Sequence, residues 1–178
     1  MKPGKKGWIY SSPTNRKIMK DIISKFKVSS LSISFAFVFL LQLPLFGQTI
    51  IHPDDGSDLE KLAAKEVRRY IYLRTGQLIT IQGAASLPAG DDLILVANDN
   101  NPMVEYLRSV LNHTTPTGGI IIKTVSEGGR NILVITGNDD NATLHAAYRY
   151  AEHLGVFFDL TEDVIPDTKI SLDITGYD

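Results

Sequence analysis

Residues 132–158 read ILVITGNDDNATLHAAYRYAEHLGVFF, and a change of hydrophobic period inside this stretch decides the fold class. Asn131 to Thr136 is a β-rich run of strand length. Gly137 to Asp140 then leads into a predicted helix, where Leu144, Ala147, Tyr148, Ala151 and Leu154 recur at helical spacing. Gly155 ends that helix, and Val156 to Asp159 reads as a short buried strand. A strand, a helix and a strand in so short a span require a sheet with a helix packed on it.

The neighbouring segments extend the pattern. Ile120 to Val125 is a second β-rich run, separated from Asn131 by five residues that include Gly128 and Gly129. That spacing predicts a hairpin and therefore an antiparallel pair. Thr114 to Gly119 is a turn cluster. Further upstream, Asp92 to Ala97 (DLILVA) is apolar throughout, as a strand buried on both faces is. Asn101 and Pro102 cap and open a helix whose stripe is Met103, Val104, Leu107, Val110 and Leu111.

Gln77 to Gln82 alternates like a strand, and Gly83 to Gly90 is a loop. Before it, Ser57 and Glu60 fit a capping box. Leu59, Leu62, Ala63, Val67, Tyr70 and Ile71 follow at helical spacing, and Gly76 supplies the left-handed stop. Lys65, Arg68, Arg69 and Arg74 place positive charge toward the C-terminal half of that helix, where its dipole favours it. Thr49 to His52 is a short strand before the turn Pro53 to Gly56. The tail from Val164 to Ile174 reads as one or two edge strands interrupted by Pro166. The expected architecture is α/β (α+β): a mixed β-sheet with helices packed on it.

Composition fits one ordinary domain. The chain has 178 residues, 43% hydrophobic and 21% charged, with a net charge of −2. Of the 18 Lys and Arg, eight lie in residues 1–48 and ten follow; of the 20 acids, only Asp21 lies in that first part and nineteen follow. Residues 49–178 thus carry a net charge of −9, which argues against nucleic acid as a partner, since phosphate binding needs clustered cations. The absence of cysteine excludes disulfides, thiolate metal sites and a Cys nucleophile.

Residues 1–48 read as a signal peptide. Leu31 to Leu41 (LSISFAFVFLL) is the core of the one long apolar stretch, 28–45, and is shorter than the roughly 20 residues that span a bilayer. It follows a Lys-rich flank and ends at Gln42, Pro44 and Gly47, the order of a secretory leader. Met19 makes a more ordinary start than Met1. An uncleaved anchor is the alternative; a lipid-attached form is excluded because no Cys follows the core. The expected location is secreted or periplasmic, with the domain occupying residues 49–178.

Candidate chemistry is sparse. His145 and His153 lie on the helix of the opening stretch beside Glu152, but a reversed zinc motif needs histidine at 149, where Arg149 stands. His145, Arg149 and Glu152 read instead as a solvated polar stripe. His52 and His113 have no partner nearby in sequence. Asp159, Glu162 and Asp163 cluster after a strand, where an acid pair can sit. Asp54/Asp55 and Asp91/Asp92 read as turns and strand flanks. Asp139, Asp140 and Asn141 lack calcium-loop spacing and read as a helix cap. Gly137-Asn138-Asp139-Asp140 opens a helix after a strand but lacks a phosphate-loop pattern, and no G-x-S-x-G elbow occurs. No catalytic, metal or cofactor residue is assigned on these grounds.

Two segments carry a resemblance. LEKLAAKEVRRYIYLRTGQLITI (59–81) and ILVITGNDDNATLHAAYRYAEHLGVFF (132–158) together resemble the non-catalytic N-terminal domain that precedes the barrel in glycoside hydrolases. The families are α-glucuronidases of family 67 and β-N-acetylhexosaminidases of family 20. The resemblance covers about residues 49–175. It implies a zincin-like shape without a metal site, no cofactor, and catalysis in a (β/α)₈ barrel partner, typically about 250 residues, that these 178 residues do not include. It also implies a link to carbohydrate degradation and an exposed apolar patch where the barrel docks.

The alternative is a free-standing carbohydrate-binding or protein-interaction module, with a polysaccharide or oligosaccharide as partner. Its aromatic platforms would come from Tyr70, Tyr72, Tyr106, Tyr148, Tyr150, Phe157, Phe158 and Tyr177. Tyr72 and Tyr150 fall off the apolar faces and are the expected exposed pair. Trp8, the one tryptophan, lies in the leader. A small independent hydrolase ranks last for want of a nucleophile or an acid/base pair.

Overall fold

Isoleucine, leucine and valine fill the central strands so completely that both faces of their sheet must be covered. The structure, a computed structural model, describes residues 47–112 and 118–178. The leader, apart from Gly47 and Gln48, lies outside the described residues, as does His113. The elements run β1 (Thr49–Pro53), α1 (Asp58–Thr75), β2 (Thr80–Ala84), β3 (Leu93–Val96), α2 (Pro102–Leu111), β4 (Ile120–Glu127), β5 (Arg130–Gly137), α3 (Asp140–His153), β6 (Phe157–Phe158) and β7 (Asp163–Val164).

The main sheet has the order β2-β1-β3-β5-β4. The first four strands are parallel, and β4 pairs antiparallel with β5 through the predicted hairpin. Gly128 and Gly129 both take positive φ at its turn, 62° and 81°, which a side chain would resist. The fold is therefore a mixed α/β sheet with three helices packed on it.

Strand alternation divides the core into two layers. Ile50, Ile94, Val96, Leu133 and Ile135 face α1 and α3, together with Val67, Ile71, Ala147 and Ala151. Ile51, Leu95, Ile132, Val134 and Val125 face α2, which contributes Met103, Val104, Leu107 and Leu111. Two helices cover the first face and one covers the second. Five strands at about 4.8 Å spacing span about 19 Å, whereas a helix is about 10 Å across. The β2–β3 loop, through Leu87, shares the cover of the second face.

Helix ends follow local chemistry. Ser57 and Glu60 form the capping box of α1, and Gly76 closes it with φ 78°. The Asn101 side chain accepts from Met103 N at 2.9 Å, and the Asp139 side chain accepts from Ala142 N at 2.8 Å. Gly137 permits β5 to run into α3: a Cβ there would lie 2.3 Å from the Ala142 carbonyl carbon.

Three expectations are corrected. The strand expected at Gln77–Gln82 forms at Thr80–Ala84, because Gln77 N is drawn to the Thr75 hydroxyl just beyond α1. Val156–Asp159 is not a buried strand of the main sheet. Only Phe157 and Phe158 are extended, and they pair with β7 in a separate two-stranded ribbon. Beyond Val164 the tail forms no edge strand, because side chains hold it in place of a ladder. Arg74 donates to the carbonyls of Leu154, Pro166 and Thr168. The Thr124 hydroxyl donates to the Ile174 carbonyl, its backbone N–H donates to the Tyr177 carbonyl, and Ile174 is buried in the first core layer.

Candidate functional site

In open α/β sheets, ligands commonly bind beyond the carboxyl ends of the parallel strands. Here that edge is filled by the protein's own polar groups. Glu60 is buried, accepting from Ser57 N at 2.9 Å and from Asn98 N at 2.8 Å. Asn98 in turn donates to Asp140 at 3.0 Å. The Asp139 carboxylate occupies the start of α3, where a phosphate would need free N–H groups. Glu60 was readable as a cap, but its second bond, to a residue 38 positions away, had no signal in the sequence.

The residues singled out on α3 meet elsewhere, in a depression of about 460 Å³ between α1, α3 and the β6–β7 ribbon. His145, Arg149 and Glu152 line one side of it, and Arg69, Tyr70 and Asp163 line the other. Arg149 pairs with Glu152 one turn on. Arg69 pairs with Glu66 at 3.1 Å and with Asp163 at 3.2 Å, and its guanidinium sits 4.9 Å from the Tyr70 ring centre. The Tyr70 hydroxyl donates to Asp163 at 2.7 Å. Burial first, and this hydrogen bond second, push the Tyr70 phenol well above its ordinary range. Tyr70, Tyr148 and Phe158 complete the cluster with edge-to-face contacts at 5.6 to 6.4 Å.

This arrangement consumes its charges internally. Asp163 serves Arg69 and Tyr70, and Glu152 serves Arg149. Asp159 holds the backbone N–H of Leu160, while the Asp159 N–H bonds the Glu162 carbonyl. The expected acid cluster is thus a turn with an anchor, not a pair of opposed carboxylates. Among the described residues no group of three His, Cys, Asp or Glu side chains is placed to hold a metal ion. His153 packs edge-on against Tyr177 at 5.7 Å, and His52 is half-buried with Nδ1 2.6 Å from the Pro53 carbonyl oxygen. Asp92 binds Asn131 N at 2.7 Å and so fixes the end of the hairpin.

The physical product of the cluster is a fixed ribbon. Phe158 and Asp163 are paired across the ribbon and turn inward onto α1 and α3. Alternation then turns their neighbours, the paired Phe157 and Val164, outward. Phe157 is 66% exposed, Val164 47%, and Leu160 in the connecting turn is fully exposed. Three large apolar side chains thus project from a hairpin pinned by an ion pair and a ring cluster.

The aromatic candidates separate. Tyr72 is half exposed on α1 as expected. Tyr150 is a correction: it is completely buried in the first core layer, 5.6 Å from the ring of Tyr177. The tail folding back over α3 buries a face that the helical spacing had left open. Its hydroxyl has no well-formed hydrogen bond among the described residues, and burial drives its phenol far upward. Tyr106 on α2 is more exposed than Tyr72, because the second face of the sheet carries only one helix. Among the described residues, no helix is long and apolar enough to cross a membrane. The chain matches no family model and no curated protein.

Proposed function

We propose that residues 49–178 are a non-catalytic accessory domain of an exported glycoside hydrolase of the α-glucuronidase or β-hexosaminidase type. The leader directs it to a secreted or periplasmic location. Its shape is zincin-like, and its role is to pack against a (β/α)₈ barrel that carries the catalytic acids. The observation that supports this reading is the β6–β7 ribbon. A monomer gains nothing from holding Phe157, Leu160 and Val164 rigidly in water, whereas a docking surface needs that combination of apolar area and fixed geometry. The internally satisfied charges behind the ribbon fit a supporting role as well.

The test has a genetic and a biochemical arm. A reading frame for a (β/α)₈ barrel is expected in phase with Asp178 or directly beside it. Purified chain is expected to leave 4-nitrophenyl glycosides intact and to bind that barrel, with binding lost in a Phe157→Ser/Leu160→Ser double variant. Hydrolysis by the chain itself would overturn the reading, as would the lack of any neighbouring barrel frame.

A further inference from the structure

The second face of the sheet, under-covered by its single helix, leaves a cleft of about 520 Å³ between the β2–β3 loop, α2 and the β4–β5 turn. That size suits a small-molecule site, and its make-up is of the same kind: a mostly apolar floor with a few convergent polar groups. Leu87, Pro102 and Met103 supply the floor. Small residues at Ala85, Ala89 and Gly90 keep the mouth open.

Strand alternation puts the polar groups there. Val125 faces α2, so Glu127, two residues on, projects to the same side; Ile132 faces α2, so Arg130 does too. Glu127 and Arg130 are the last cross-strand pair of the hairpin, held side by side by the tight glycine turn. Neither joins any of the ion pairs among the described residues, and Arg130 Nη1 makes one long bond, donating to the Asp91 carbonyl at 3.4 Å. Glu127 instead accepts from the Tyr106 hydroxyl at 2.8 Å. That bond fixes the Tyr106 ring, 63% exposed, at the wall of the cleft.

We infer that this cleft binds a neutral saccharide through one pyranose ring. A ring of fixed orientation offers an apolar platform at little entropic cost. Beside it, a carboxylate accepts from one hydroxyl and a guanidinium donates to its neighbour, the pattern a vicinal diol requires. One Glu and one Arg make the cleft formally neutral, and a body of net charge −9 disfavours an anionic occupant. A neutral ring with one apolar face and adjacent hydroxyls satisfies all of these demands. The site lies apart from the β6–β7 ribbon, so either can fail without the other.

Calorimetric titration of the full chain with cellobiose, xylobiose, mannobiose and N,N′-diacetylchitobiose tests the inference. At least one is expected to bind with a Kd of about 1 mM or tighter. Tyr106→Ala and Arg130→Ala are each expected to weaken it about tenfold or more, with an unchanged Tm showing that the fold persists. Tyr106→Phe, which keeps the ring, is expected to weaken it less than Tyr106→Ala. Failure of all four sugars to bind overturns the inference, as does binding indifferent to both Tyr106→Ala and Arg130→Ala.

Discussion

Arg74 is the residue on which the C-terminal fifth of the domain turns. It lies at the end of α1, where a cation suits the helix dipole, but it is only 5% exposed. Its guanidinium fork collects three carbonyls, from Leu154, Pro166 and Thr168, which no tertiary ladder would otherwise satisfy. Its own carbonyl accepts from Ile170 N at 2.9 Å. Removing the side chain leaves the buried Leu154 carbonyl and two part-buried ones without their donor, and a buried acceptor left unpaired costs more than its bond contributes. Arg74→Ala is expected to lower unfolding free energy by about 2–4 kcal/mol, and Arg74→Lys to recover less than half of that, because one ammonium cannot span three acceptors. Urea unfolding reads both; a loss under about 0.5 kcal/mol for Arg74→Ala would refute the account.

Among the elements, the β6–β7 ribbon is the smallest and the most dependent on its neighbours, since a two-stranded ribbon is marginal alone. Asp163 is its tether to Arg69 and Tyr70. Asp163→Ala should therefore raise amide exchange at Asp159, whose N–H bonds the Glu162 carbonyl at the end of the ribbon, while costing only about 1 kcal/mol of global stability. Exchange unchanged in the variant would show that ring packing alone holds the ribbon. The elements also show what the sequence could disclose. Capping box, helix stops, hairpin and central strands were legible, because each depends on residues within one turn or one period of one another. The ribbon and the tail were not. Val156–Asp159 has a strand's composition, but its partner is fixed by Asp163 reaching α1, a contact across 93 residues. Tyr150 was misplaced for the same reason: its helix shows an open face until Tyr177 and Ile174 return to cover it. Of the candidate site, the α3 stripe was read from spacing, whereas the closeness of Tyr106 to Glu127 depends on hairpin and helix meeting.

At the scale of the whole molecule, the first core layer carries an unusual load of phenols. Tyr70, Tyr148, Tyr150 and Tyr177 all lie above the ordinary tyrosine range, with burial the first cause in each. A phenol whose folded pKa is raised holds its proton where the unfolded chain would release it. Its contribution is complete below the unfolded value near 10 and declines as pH climbs through the folded one. Stability is therefore expected to be flat from neutral pH to about pH 9 and to fall steeply above about pH 10. Tyr150→Phe should make that fall shallower in urea unfolding followed against pH, and a fall equally steep in the variant would contradict the account.

One feature of the sheet has a bearing on self-assembly. Thr124, in the middle of the outer strand β4, gives its N–H to Tyr177 O at 2.9 Å, so the returning chain stoppers that margin. The opposite margin, β2, has no such stopper among the described residues. Among the described residues, the row of backbone groups that another strand could join is therefore least obstructed along β2.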